Sequence, residues 1–191
     1  STAPDQFQPV NRGLNDLAAI LYTSGTTGRS KGAMISHQNL ISNAQNLTSL
    51  WRFTKSDVLL HTLPIFHTHG LFVATNVMLV SGGSMIFLPK FDLDSIFKHL
   101  PQATSMMGVP TFYTRLLTDD RLTKSNTRHM RLFISGSAPL LDETHRMFAK
   151  QTGHMILERY GMTETNMNTS NPYEGERRPG TVGFPLPDVE L

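Results

Sequence analysis

Short apolar runs alternate with helix-like segments along almost all of this 191-residue chain, and glycine or proline stands at many of the junctions. The runs over 17–23, Asp57–Leu63, Ser84–Leu88, Thr104–Gly108, Arg131–Ser135 and His154–Tyr160 read as strands. Between them, Ser36 is placed to cap a helix reaching about Leu50, with Leu40, Ala44 and Leu47 at helical spacing. Further helices are expected over Leu71–Val80, over 93–100 behind Asp92, and from Pro110 to Leu117. Another is expected over Leu140–Gln151, with Asp142 and Glu143 in its first turn and Gly153 closing it. The polar stretch Thr118–Arg128 reads as loop or frayed helix. Strands that alternate with helices imply βαβ crossovers. The expected fold class is therefore α/β, a mostly parallel sheet with helices on both faces. Residues 1–16 form a polar lead-in and 17–179 the core. The run Gly180–Pro187 breaks the rhythm, so 180–191 reads as the start of a following β-rich substructure, cut short, and the chain as a fragment.

Composition narrows the function classes. An apolar fraction of 39% supplies a core, and 17 basic against 15 acidic residues leave a formal charge of only +2. With no basic run beyond Arg177-Arg178, a nucleic-acid partner is not indicated. The absence of cysteine excludes disulfides and thiolate-held metals and fits a reducing compartment, so a cytoplasmic location is expected. The apolar stretch Gly70–Val80 is too short to span a bilayer, and no membrane partner is expected.

The richest chemistry lies in Tyr22–Gly32. Three glycines allow close backbone approach to a ligand. Hydroxyls of Thr23, Ser24, Thr26 and Thr27, peptide N–H groups around Gly25 and Gly28, and the charge of Lys31 suit phosphate oxygens. A plain flexible loop is the bland alternative. A Walker A loop is disfavoured, because Lys31 is followed by Gly32 and the glycine spacing fails.

Two further polar turns follow strands, Gly136-Ser137-Ala138-Pro139 and Glu158–Thr165. Open α/β sheets bind ligands beyond the carboxyl ends of their strands, so the three turns are expected at one rim. Tyr160 offers an aromatic face to a base, Thr163 a hydroxyl to a phosphate, and Glu164 a hard oxygen to Mg²⁺. Helical spacing sets Arg115 beside Phe112 and Leu116, and strand alternation sets Arg159 with Met155 and Leu157. An arginine turned inward calls for an anion. Structural pairing remains the alternative, for Arg115 with Asp119 and for Arg159 with a buried carboxylate. His67 and His69 lack a nearby third ligand, which argues against a metal; His69 reads as a loop or capping residue.

The Tyr22–Gly32 stretch resembles the signature loop of the adenylate-forming superfamily, an aromatic residue followed by Thr-Ser-Gly-(Ser/Thr)-Thr-Gly-x-Pro-Lys-Gly; Ser30 stands where proline is usual. Tyr160-Gly161-Met162-Thr163-Glu164 is similar to the second superfamily motif, and Gly136–Pro139 to its adenine-lining turn. The resemblance implies that Glu158, Arg159, Tyr160, Gly161 and Met162 help to hold the nucleotide. It implies that Tyr160 stacks on adenine, that Thr163 meets the α-phosphate, that Glu164 holds the metal, and that Lys31, Thr163 and Glu164 serve catalysis. Phe112–Arg115, Ser135–Ala138 and Glu158–Glu164 further resemble malonyl-CoA synthetases. In that family two arginines and a serine grip a distal carboxylate; here these would be Arg115, Arg159 and Ser137, with His67 at the acyl pocket or thiol tunnel. The implied function is ATP- and Mg²⁺-dependent activation of malonate or methylmalonate to acyl-AMP and then, with CoA as co-substrate, to acyl-CoA. The ribose-binding aspartate and the C-terminal domain with its lysine are missing from this stretch, so the chain alone is expected to be inactive and to need that domain as its partner. The alternatives are a synthetase for another acid, a non-catalytic nucleotide-binding module, and a phosphate-releasing NTPase.

Overall fold

The structure is a computed structural model and describes residues 6–23 and 30–190. Strands β1 (Leu17–Thr23) and β2 (Lys31–Ser36) pair antiparallel as a two-stranded sheet of their own. The main sheet has seven strands in the order β4-β3-β5-β6-β7-β8-β9. They are β3 (Val58–His61), β4 (Ser84–Phe87), β5 (Ser105–Gly108), β6 (Leu132–Ser135), β7 (Leu157–Met162), β8 (Asn166–Ser170) and β9 (Phe184–Pro185). The first five in that order are parallel, and β8 and β9 add antiparallel.

The helices are α1 (His37–Leu50), α2 (Thr75–Ser81), α3 (Leu93–His99), α4 (Pro110–Leu117), α5 (Lys124–Thr127) and α6 (Asp142–Thr152). Ser36 caps α1 as the sequence implies: its side chain accepts from the Asn39 N–H, and Asn39 Oδ1 accepts from the Ser36 N–H. Gly153 ends α6 at φ 82°, a left-handed position suited to glycine. A π-helical turn, His69–Ala74, leads into α2. The expected helix over 71–80 therefore starts two residues early.

Successive strand residues enter opposite cores. Leu59, Met107, Leu132, Ile134 and Leu157 pack with Leu47, Val77 and Met78 of α1 and α2. Leu60, Met106 and Phe133 pack with Ile96, Tyr113, Leu116 and Phe148 of α3, α4 and α6. With both faces covered, β5 and β6 are buried at every residue, which is why neither shows an alternation of apolar and polar side chains. The chain winds outward from β3 to β4 and then returns past β3 to β5, so a topological switch point lies between β3 and β5.

Several expectations are corrected. The apolar run 17–23 is not a buried strand of the main sheet; it forms a hairpin arm that leaves Leu17, Ile20 and Tyr22 substantially exposed. A short apolar run cannot by itself distinguish a strand covered on both faces from a hairpin strand. The first polar loop therefore joins two antiparallel strands and does not follow a strand of the parallel sheet. Strands β2 and β8 fall in stretches read as loop or left unassigned, because their residues (Asn-Met-Asn-Thr-Ser in β8) have little intrinsic strand preference. In the tail, β9 pairs with β8 and Leu186 joins the core shared by α1 and α2.

Candidate functional site

The ends of β6 and β7 build one wall of a cavity. β6 runs out at Ser135 into the Gly136–Pro139 turn, and β7 carries Glu158 to Gly161. With Gly180 and Val182 these residues line a cavity of about 390 Å³. Between Tyr160 and Gly161 the register with β8 slips, a bulge of the kind that re-aims side chains beside binding sites. Arg159 faces inward and Tyr160 lies half open at the cavity wall.

Arg159 is 3% exposed, yet its Nε and Nη2 have no hydrogen-bond partner among the described residues. Burial lowers the guanidinium pKa to about 9, with Tyr113 opposing the shift. A buried cation with free donors is costly, so the arrangement is suited to an anion. Gly136 makes room for it: a Cβ at that position would overlap the Arg159 guanidinium. The next residue, Ser137, is held at φ 70°, a strained setting for a side-chain-bearing residue. Its Oγ lies 3.2 Å from Nδ1 of His69, whose ring is 1% exposed. Burial, reinforced by the charges of Arg159, His67 and His61, holds the His69 imidazole well below its usual pKa, so the ring is neutral at pH 7. Glu158, which also lines the cavity, is buried. Burial raises its carboxyl pKa, while the Gly180 N–H, donating to Oε1 at 3.2 Å, pulls it back.

Other expected site residues sit elsewhere. Ser24, Gly25, Thr26, Thr27 and Gly28 lie outside the described residues. Thr23 and Lys31 face each other at the loop end of the β1–β2 hairpin, and Lys31 is exposed and does not line the cavity. Met162 pairs with Asn166 at the β7–β8 turn, and Thr163 and Glu164 follow within it. Glu164 is exposed and lines a separate polar groove with Asn39, Ser42, Asn43 and Asn46 of α1. Among the described residues no group of three or more metal-ligating side chains stands close enough to hold an ion.

Three site expectations need correction. Arg115 is exposed rather than inward; its guanidinium rests 4.5 Å from the centroid of the Phe91 ring, which itself stacks on Phe112. The alternative pairing with Asp119 also fails, since Asp119 is taken by Arg121. His67 is exposed, whereas its neighbour His69, read as a loop or capping residue, is the histidine that touches Ser137. Sequence reasoning missed His69 because nothing local marks which of two histidines two residues apart opens a buried π-helical turn. For Arg159, Met155 lies outside β7 and does not share its face, and no carboxylate pairs with it among the described residues.

The family model for AMP-binding enzymes matches residues 1–191. This chain belongs to the AMP-binding enzyme family. Within it, the chain is 40% identical over 206 residues to a malonate–CoA ligase of Arabidopsis thaliana, covering 97% of this chain and 34% of that protein. It is 41% identical over 202 residues to the mitochondrial malonate–CoA ligase of Mus musculus, covering 96% and 35%. Among solved structures, the ATP-bound MatB of Rhodopseudomonas palustris superposes with a TM-score of 0.93 at 68% identity, covering 97% of this chain and 37% of that one. The chain thus spans about a third of the length of the relatives it matches. Its mostly parallel sheet is the one seen in these AMP-binding enzymes. No helix among the described residues is long and apolar enough to cross a membrane.

Proposed function

We propose that this chain supplies part of the nucleotide and acid site of an AMP-forming ligase that joins a small dicarboxylic acid, malonate or methylmalonate, to CoA. The observation that carries the reading is Arg159, buried with two donors that no described residue accepts, lining with Ser137 a cavity walled by Tyr160. The names of the similar proteins, malonate–CoA ligases and MatB, support the same substrate class.

In this reading Arg159 and Ser137 receive the carboxylate that does not react. The other carboxylate attacks the α-phosphorus of ATP, giving acyl-AMP and pyrophosphate, and the CoA thiol then displaces AMP. The protein's contribution is alignment and charge neutralisation. Tyr160 and the Gly136–Pro139 wall receive adenine. Thr23, Lys31 and the intervening Ser24–Gly28 loop receive the phosphates, with Thr163 at the α-phosphate. Glu164, an exposed carboxylate in a groove that Asp188 also lines, stands beside amide and hydroxyl groups and fits Mg²⁺, an ion that keeps several waters and takes further ligands from phosphate. Mg²⁺ would supply charge neutralisation there. Arg115, exposed on Phe91, is the weaker candidate for a second arginine at the acid, and His67 for the acyl pocket or thiol tunnel. A cytoplasmic location and a C-terminal domain as partner complete the proposal.

The test is acid-dependent pyrophosphate exchange by the full-length enzyme. Malonate or methylmalonate should exceed acetate, propionate and fatty acids, and Arg159→Met should cut malonate exchange at least about a hundredfold, as expected when a charge-assisted contact of about 3 kcal/mol is lost. Preference for a monocarboxylate, or an Arg159→Met enzyme still fully active on malonate, would end the assignment.

A further inference from the structure

The contact between His69 and Ser137 joins two segments far apart in sequence, the π-helical turn before α2 and the turn after β6. Every polar partner of this pair bears on what it can do. Ser137 Oγ has one proton to give. If that proton goes to His69, the serine presents only lone pairs to the cavity and would repel a carboxylate. If His69 donates instead, the serine proton stays free for the ligand. The surroundings favour the second arrangement. His69 Nε2 is buried and has no partner among the described residues, and the charge that acts most strongly on the ring is the Arg159 guanidinium. A positive neighbour disfavours the imidazolium and tolerates a bare lone pair at Nε2 better than a second N–H. The turn that carries the ring is tied down on both sides. The following carbonyl, Gly70 O, accepts from Thr75 Oγ1 at 2.9 Å and lies 2.9 Å from His61 Nε2. Gly70 packs so closely on the Pro64 carbonyl that a Cβ there would overlap it. The residue before His69, Thr68, donates to Asn166 Oδ1 at 2.9 Å, tying this turn to the start of β8.

We infer that His69 is a positioning residue of the acid site: as the Nδ1–H tautomer it donates to Ser137 Oγ, holds the serine in its left-handed turn, and leaves the serine O–H to bind the distal carboxylate of a dicarboxylic acid beside Arg159. The inference rests on the substrate reading above and deepens it. His69 touches no substrate in this scheme. It acts through Ser137, and it separates a dicarboxylate from a monocarboxylate of similar size.

The two amide replacements of histidine make the test. An asparagine amide sits near the Nδ1 position and can keep the donation to Ser137, whereas a glutamine amide sits near Nε2 and cannot. In the full-length enzyme, His69→Gln and His69→Ala should raise KM for malonate about five- to tenfold, the range of one lost hydrogen bond, with KM for ATP within about twofold. His69→Asn should stay within about threefold of the parent for malonate. Ser137→Ala should raise malonate KM alone and add little in the His69→Gln background, because the two side chains act as one unit. Equal damage by Asn and Gln, a parallel rise in both KM values, or additive effects of the Ser137 and His69 changes would overturn the role of His69. If the alanine variant fails to fold, the Asn–Gln comparison decides alone. Failure of the unsubstituted enzyme to prefer malonate over propionate is a different result; it overturns the substrate reading and this inference with it.

Discussion

Buried imidazoles give this protein a pH dependence that can be worked out residue by residue. His69, His61, His145 and His154 all have pKa values lowered from 6.5, in each case chiefly by burial. In the unfolded chain these rings take up a proton as pH falls through 6.5, whereas in the folded chain they resist it. The unfolded state then binds more protons, so stability declines as pH drops below 6.5. Urea midpoints should therefore fall steadily from pH 7.5 to pH 5. His69→Asn should flatten that decline, because it removes the ring that is held well below its usual range. An unchanged slope in the variant would show that His69 protonates freely in the folded protein. Arg159 marks the same scale from the other side. Its cost is present at every pH below about 9 and is relieved only by an anion.

At the scale of elements, one polar staple holds the amino ends of the central strands. Asp57, just before β3, is 4% exposed and accepts from Arg131 Nε at 2.5 Å, from the Thr54 N–H at 2.8 Å and from Thr104 Oγ1 at 2.8 Å. Arg131 also donates to the Trp51 carbonyl at 3.0 Å, and its guanidinium lies 4.6 Å from the centroid of the Phe53 ring. Burial raises the Asp57 pKa, but the Arg131 contact and the two other donors outweigh it and leave the net shift downward. Its stabilising share is therefore present above the ordinary carboxylate range and lost as pH falls through its lowered value. Because this staple closes the end of the sheet opposite the cavity, it belongs to stability. Arg131→Met should cost about 3 kcal/mol in urea unfolding by stranding a buried carboxylate, and Arg131→Met with Asp57→Asn should recover a good part of that. A double variant no more stable than the single would refute the stranding argument. A second tie fixes β8 against α1: Asn43 Nδ2 donates to the Met167 carbonyl and Asn43 Oδ1 accepts from the Met167 N–H, at 2.8 and 3.3 Å. It sets the β7–β8 turn, with Thr163 and Glu164, beside the first turns of α1.

For the molecule as a whole, the described walls of the cavity come from β6, β7 and the tail at Gly180 and Val182. Lys31 stands on a separate hairpin, and the chain spans about a third of its relatives' length. The isolated chain should therefore bind ATP more weakly than the full-length enzyme and show no acid-dependent exchange. Calorimetry on both, under one set of salt and Mg²⁺ concentrations, checks this; equal affinities would mean that the walls seen here suffice.

Strand-helix alternation was legible in the residues because burial on both faces of a parallel sheet leaves an apolar run, as in β6, whereas β5 with Ser105 and Gly108 at its ends carries a much fainter one. Caps such as Ser36 and Gly153 were legible because capping chemistry is local. The turns after β6 and β7 could be located for the same reason: they follow buried strands and carry polar residues. What tertiary structure alone decided was direction. Arg115 has helical spacing suited to an inward face, yet it lies outside on Phe91, while Arg159 lies inside. Of two histidines two positions apart, His69 is the one that meets Ser137. The antiparallel strands β2 and β8 likewise form from sequence with little strand preference: the adjacent strands β1 and β7 supply their hydrogen bonds, and α1, more than a hundred residues before β8, holds β8 through Asn43. Local order depends on neighbours in sequence; whether a side chain is buried, paired or free depends on what packs against it from elsewhere.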